Sequence, residues 1–122
     1  MAFTTDTANK IIDCILRNQT LTPATTLYVS LHNGDPGNTG ANEITSYTRQ
    51  AITFSAASNK TTTNSGEITF TNMPAVTVSY VGLWSASVAG TFWWGSALAE
   101  NKTTDSGDTF KIAAGDFDVS LT

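Results

Sequence analysis

Apolar residues near the start of the chain recur at the spacing of a helix. Five of them occupy positions i, i+3, i+4, i+7 and i+8: Ala8, Ile11, Ile12, Ile15 and Leu16. This periodicity predicts an amphipathic helix over residues 5–18 with a single apolar face. Either the protein's own sheet or a neighbouring subunit covers that face, and Ile11 and Ile15 are the candidate contacts in the second case.

From Thr26 onward the period of the apolar residues changes to two. In residues 27–32, for example, Leu27, Val29 and Leu31 alternate with more polar neighbours. About eight such short segments, separated by clusters of turn-forming residues, predict a mainly β protein. We expect an antiparallel, jelly-roll-like β-sandwich over residues 26–122 behind the N-terminal helix, and 122 residues fit one domain, 1–122.

Two segments are apolar on both faces. Residues 76–84 predict a central strand, with Val78 and Tyr80 on one face and Val81 on the other. In the strand predicted over residues 90–99, Trp93 and Trp94 must point to opposite faces. Either both faces of that strand are covered, or one Trp lies on an exposed surface. Trp93, Trp94 and Tyr80 are therefore candidates for a subunit interface or for a surface that stacks on sugars.

Residues 33–43 predict a long loop. Asn33-Gly34, Asp35-Pro36-Gly37 and Thr39-Gly40 are combinations that favour turns. We expect this loop to be polar, to lie outside the core and to tolerate shortening, with Asp35 and Asn38 available for contacts.

The charge distribution argues against nucleic acid as a partner. Six Lys and Arg stand against ten Asp and Glu, the net charge is −4, and the basic residues are scattered. The first residues lack the features of a signal peptide, and no apolar run reaches the roughly 18 residues of a membrane span. We therefore expect a protein that is made soluble in a cytoplasm.

The chain offers little for catalysis or for metal binding. His32 is the only histidine and Cys14 the only cysteine, and no Ser lies in a nucleophile motif. We expect His32 to be structural or merely on the surface, and Cys14 to be a small buried apolar residue. No enzymatic activity, metal site or cofactor is predicted.

Three stretches carry a resemblance to known proteins: LYVSLHNGDPGNTGANEIT, SYTRQAITFSAAS and SGDTFKIAAGDFDVSL. They resemble small proteins of tailed bacteriophages that are often labelled tail fibre or virion structural protein. The resemblance implies a virion component that is made in a host bacterium and contacts major capsid or tail proteins. It implies no active site.

Within that class, the sequence favours a capsid decoration or cement protein, because the chain lacks the heptads and repeats that build a fibre shaft. A tail-fibre or tail-tip module that contacts the host is the alternative. A carbohydrate-binding module that takes a glycan is a third reading, and a hydrolase that depends on His32 is a fourth. We expect a homo-oligomer, such as a trimer.

Overall fold

The computed structural model describes residues 2–121 and consists of nine strands and one helix in that range. The elements, in chain order, are β1 (Ala2–Phe3), α1 (Thr5–Arg17), β2 (Leu27–His32), β3 (Gln50–Ile52), β4 (Thr61–Thr63), β5 (Ile68–Met73), β6 (Val76–Trp84), β7 (Phe92–Thr104), β8 (Asp108–Ile112) and β9 (Asp118–Ser120). Every strand pair is antiparallel. The predicted class, mainly β with one N-terminal helix, is confirmed, whereas the jelly-roll topology stays a prediction.

The helix has the ends that its sequence favours. Thr4 is the N-cap, and its Oγ1 accepts a hydrogen bond from the Thr7 backbone N–H at 3.2 Å. Asn18 follows the last turn in the left-handed conformation, with φ 55°, which suits asparagine. Two ion pairs, Asp6–Lys10 and Asp13–Arg17, each join residues that are one helical turn apart.

Five strands form the main sheet in the order β1-β7-β6-β2-β3, and the pairs β4-β9 and β5-β8 form two small sheets. Side chains from the main sheet and from β5-β8 meet in one hydrophobic core. Its buried members are Val29, Leu31, Ile44, Ile52, Ile68, Phe70, Met73, Val78, Val81, Leu83, Trp94, Phe110, Ile112 and Phe117.

A register shift between β6 and β7 changes which residues reach the core. Val78 pairs with Lys102 but Tyr80 pairs with Ala97, so Ser79 alone lies opposite four residues of β7, 98–101. Such a bulge interrupts the alternation of side chains along a strand. Val78 and Val81 are consequently both buried in the same core. The prediction that they face opposite sides of the strand was wrong for this reason.

The structure also differs from the expectations in the extent of several elements and in the burial of Cys14. The sequence pattern did not predict β1 or β4, each of two or three residues. Strand β7 runs to Thr104, beyond the predicted end at residue 99, because its second half pairs with the start of β6. Cys14 is half-buried on α1 rather than fully enclosed.

Candidate functional site

The loop of residues 33–43 rests directly on the face of the main sheet that points away from the core. Pro36 is buried, and a Cβ added at Gly95 of β7 would lie 2.8 Å from its Cγ. A Cβ added at Gly40 would lie 2.3 Å from the Trp84 ring. The loop contributes no residue to the hydrophobic core, but it packs closely on the sheet because glycines on both surfaces let the backbones approach each other.

His32 connects the sheet to this loop. It is fully buried, its Nδ1 lies 2.8 Å from the Ala41 carbonyl oxygen, and its Nε2 lies 2.7 Å from Ser30 Oγ. Since a carbonyl oxygen only accepts, Nδ1 carries the proton and Ser30 donates to Nε2. Trp84 Nε1 in turn donates to Ser30 Oγ at 3.0 Å. Burial lowers the pKa of His32, against a smaller opposing effect of the hydrogen bond to Ala41, so the ring is neutral.

The hydrogen-bond network gives His32 a structural role. Ser30 and His32 form the pair that a serine hydrolase would need, but both are 0% exposed. No substrate can reach either side chain in this conformation. The geometry therefore gives no support to the hydrolase reading.

A second, half-buried polar group fixes the C-terminal end of the loop. Arg49 binds both carboxylate oxygens of Glu43, at 2.7 and 2.9 Å, and its guanidinium stacks 4.0 Å from the centroid of the Trp84 ring. Tyr47 donates to the same carboxylate and accepts from the Leu31 backbone N–H. Burial alone would raise the pKa of Glu43, but the hydrogen bonds from Arg49 and Tyr47 lower it overall. Burial, and then the bond to the carboxylate, raise the pKa of the Tyr47 hydroxyl.

The anchored loop forms one wall of an open cleft of about 370 Å³. Three residues that the sequence analysis singled out meet there: Asp35 and Asn38 from the loop, and Tyr80 from β6. We call this the loop cleft. Its lining residues are Phe3, Asp35, Pro36, Gly37, Asn38, Tyr80, Gly95, Ser96 and Ala97.

The polar groups of the loop cleft are partly committed to holding the loop in place. Asp35 Oδ1 accepts from the Gly37 backbone N–H at 2.8 Å, and Asn38 Oδ1 accepts from the Thr5 backbone N–H at 2.9 Å. Asn38 thus ties the loop to the first turn of α1. Among residues 2–121, no hydrogen bond uses Asp35 Oδ2, Asn38 Nδ2 or the Tyr80 hydroxyl. These three groups are therefore free to bind a ligand.

The other candidate residues lie elsewhere. Trp94 is 1% exposed and packs on Phe117, with ring centroids 5.4 Å apart. It is a core residue, not part of the surface predicted for it. Trp93 is half-buried and also packs against the core, at a register shift where Leu83 pairs with Trp94 but Trp84 pairs with Phe92. Neither tryptophan is therefore a fully exposed residue of the surface.

The apolar face of α1 is largely uncovered by the rest of the protomer. Ile12, Ile15 and Leu16 are 53%, 75% and 76% exposed, whereas Ile11 is half-buried. Thr7 is the buried residue of the helix. The helix is thus attached through its first turn, and its second half projects from the sheet.

Sequence reasoning missed Phe3, Ser96 and Ala97 as parts of the loop cleft. Phe3 belongs to the unpredicted strand β1, and the other two residues reach the cleft only through the pairing of β7 with β6. Because these residues have no distinctive chemistry, the sequence does not indicate that they line a cleft.

Within residues 2–121, no cluster of three or more His, Cys, Asp or Glu is placed to hold a metal ion. In the same range, no helix has the length and apolar character needed to cross a membrane.

The comparison with known families identifies the class of this protein. The model of the family described as Podophage GP4 fiber I protein gp80 matches residues 2–120, which is nearly the whole chain. The chain belongs to this family of phage fibre proteins, and it is therefore a structural, non-enzymatic component of the virion. A search of curated proteins finds no match.

Proposed function

We propose that this protein is a tail-fibre module that contacts the host surface through the loop cleft. The observation that carries this proposal is the convergence of Asp35, Asn38 and Tyr80 on one cleft in a member of a fibre family. The family description fits this role better than capsid decoration, which the sequence alone favoured.

The chemistry of the loop cleft fits a neutral saccharide. The ring of Tyr80 offers an apolar surface for the C–H groups of a sugar, while Asp35 and Asn38 offer an acceptor and a donor for its hydroxyl groups. No Lys or Arg is among the lining residues of the cleft. The ligand is therefore a neutral glycan rather than a phosphorylated or acidic one.

The anchoring of the loop supports this role. Contacts of Gly40, His32 and Glu43 fix the loop before any ligand arrives. A preformed site loses less conformational entropy when it binds than a flexible loop does.

Depleting the protein from particles distinguishes a role in the tail fibre from a role in capsid decoration. We expect particles without it to adsorb poorly to host cells while their heads resist heat as before. Normal adsorption with fragile heads would instead support a cement protein, because such a protein stabilises the assembled state by binding to it.

Two conservative variants test the loop cleft itself. Asn38→Asp keeps the acceptor for Thr5 but removes the free Nδ2 donor, and Tyr80→Phe removes only a hydroxyl group. We expect each to reduce adsorption several-fold with an unchanged thermal unfolding transition. Tyr28→Phe, on β2 outside the loop cleft, is the matched control. Normal adsorption of both variants would contradict the assignment of the cleft.

A further inference from the structure

We infer that the groove between β7 and β8 binds an extended segment of another virion protein, with alternating apolar side chains and a basic residue. This attachment surface adjoins the loop cleft, with which it shares Ser96 and Ala97, but the inference does not depend on the host-contact role proposed above.

The groove consists of two adjoining clefts of about 350 and 360 Å³. They share four lining residues: Leu98, Ala99, Ile112 and Asp116. Because the lining is shared, the two clefts form one continuous surface, which we call the strand groove. Most of the shared residues are apolar, so an occupant would remove apolar area from water.

Free strand edges border the strand groove. Strand β1 pairs with β7 only at Trp94 and Gly95, and within residues 2–121 no strand covers the outer edge of β7 beyond them. Strand β8 pairs only with β5, so its other edge is open as well. An open edge presents unpaired N–H and C=O groups, which an added strand satisfies.

The two edges differ in their suitability for pairing. The bulge opposite Ser79 displaces residues 98–101 of β7 from regular pairing, and bulges discourage the addition of a strand. The ladder of β8 with β5 also shifts register between Phe70 and Met73, but the extra residue lies on β5. Along β8 itself, Phe110 and Ile112 alternate with exposed neighbours. The occupant therefore pairs with β8, and its inward side chains pack on Leu98 and Ala99.

The charges at the rim indicate a basic residue in the occupant. Within the described range, Asp116 and Asp118 form no ion pair. The other rim charges are already matched, because Lys102 lies 3.8 Å from Glu100 and Lys111 lies 4.0 Å from Glu67. A Lys or Arg near the aspartates would complement the excess negative charge.

A second copy of this chain does not supply such a segment. Its six basic residues lie on α1, in the buried pair with Glu43, in a turn, or on the strand groove itself: Lys10, Arg17, Arg49, Lys60, Lys102 and Lys111. Among residues 2–121 none belongs to an exposed, extended apolar segment that is free to pair. The partner is therefore a different protein of the particle.

A model peptide tests the pairing. The probe is an eight-residue peptide of alternating threonine and valine with one central lysine. We expect saturable binding by fluorescence anisotropy, with slower amide hydrogen exchange in β8. The same peptide with N-methyl groups on alternate amides keeps its side chains but cannot pair as a strand, and it should not bind. Replacing its lysine with glutamate should weaken binding several-fold, as should Asp116→Asn in the protein.

Variants in the particle complete the test. Ala99→Arg places a bulky charge on an exposed residue of the strand groove, and Val88→Arg, at a residue that is 81% exposed elsewhere, is the control. Both should keep the wild-type unfolding temperature, but only Ala99→Arg should fail to incorporate into particles. Absence of saturable binding, equal binding of the N-methylated peptide, or normal incorporation of Ala99→Arg would each overturn the inference. Reduced adsorption of fully incorporated Asn38→Asp would in turn test the loop cleft separately.

Discussion

At the scale of single residues, burial decides what His32 does. As the only histidine, beside a serine, it could be read as a general base. The structure encloses it between Ser30, Ala41 and Phe92, where each ring nitrogen already has a partner. Loss of solvation lowers the pKa of His32, and this effect outweighs the hydrogen bond to Ala41 and the charge of Glu43, which both favour protonation; Arg49 opposes protonation as well.

This arrangement predicts a pH dependence of stability. Unfolded His32 binds a proton below about pH 6.5, whereas folded His32, with its lowered pKa, does not. The free energy of unfolding should therefore fall as the pH drops below 6.5, by up to about 1.4 kcal/mol per pH unit, until the folded pKa is reached. Urea unfolding at a series of pH values measures this slope.

The control for this prediction is His32→Gln, which is less stable at every pH but should show no slope between pH 6.5 and the region where carboxylates titrate. Glu43 contributes only at lower pH, because its pKa is lowered from 4.5 and its stabilising effect is lost as the pH falls through that lower value. Equal slopes for the wild type and the variant would contradict the assignment to His32.

Substitutions at two glycines of the loop separate the effect of the contact with Trp84 from the effect of backbone strain. Gly40 and Gly37 both have positive φ, +77° and +57°, so alanine is strained at either position. Only at Gly40 would the added Cβ meet the Trp84 ring. We expect Gly37→Ala to cost about 1 kcal/mol of unfolding free energy and Gly40→Ala about 2–4 kcal/mol, measured by urea unfolding. Equal costs would show that the loop does not pack on the ring.

At the scale of elements, the helix and most strands could be predicted because each depends on a local pattern. The interval 5–18 agrees with α1, and the alternation of Leu27, Val29 and Leu31 agrees with β2. The bulge between β6 and β7 and the contact of the loop with the sheet depend on residues distant in sequence, which periodicity does not report. Asp35, Asn38 and Tyr80 could be singled out as polar or aromatic residues, but their meeting in one cleft follows from the same long-range packing.

The exposed helix face predicts a contrast between two substitutions. Ile15→Gln changes a residue that is 75% exposed and should alter the unfolding free energy by no more than about 0.5 kcal/mol. Leu31→Ala removes a fully buried side chain and should cost about 2–5 kcal/mol. We also expect Ile15→Gln to weaken self-association in sedimentation experiments. If self-association is unchanged, this face of the helix does not form a contact between subunits.

At the scale of the whole molecule, the proposed functions require one surface for the particle and another for the host. The loop cleft lies between the loop and the strands β6 and β7, while the strand groove lies between β7 and β8. Strand β7 therefore contributes to both surfaces. The two surfaces share Ser96 and Ala97, whereas the loop residues Asp35 and Asn38 line only the loop cleft.

The overall architecture predicts the circular dichroism spectrum. The helix accounts for 13 of 122 residues, so the spectrum should be dominated by sheet with a helical contribution of about a tenth. A helix content near half of the chain would contradict the fold.

The single thiol on α1 gives this protein a natural labelling position. Cys14 is the only cysteine and lies partly exposed on the helix, outside both binding surfaces. A maleimide dye attached there marks each chain once without an engineered residue. Stepwise photobleaching of labelled particles would then count the copies in one virion, and energy transfer between dyes would report how far apart neighbouring helices are held.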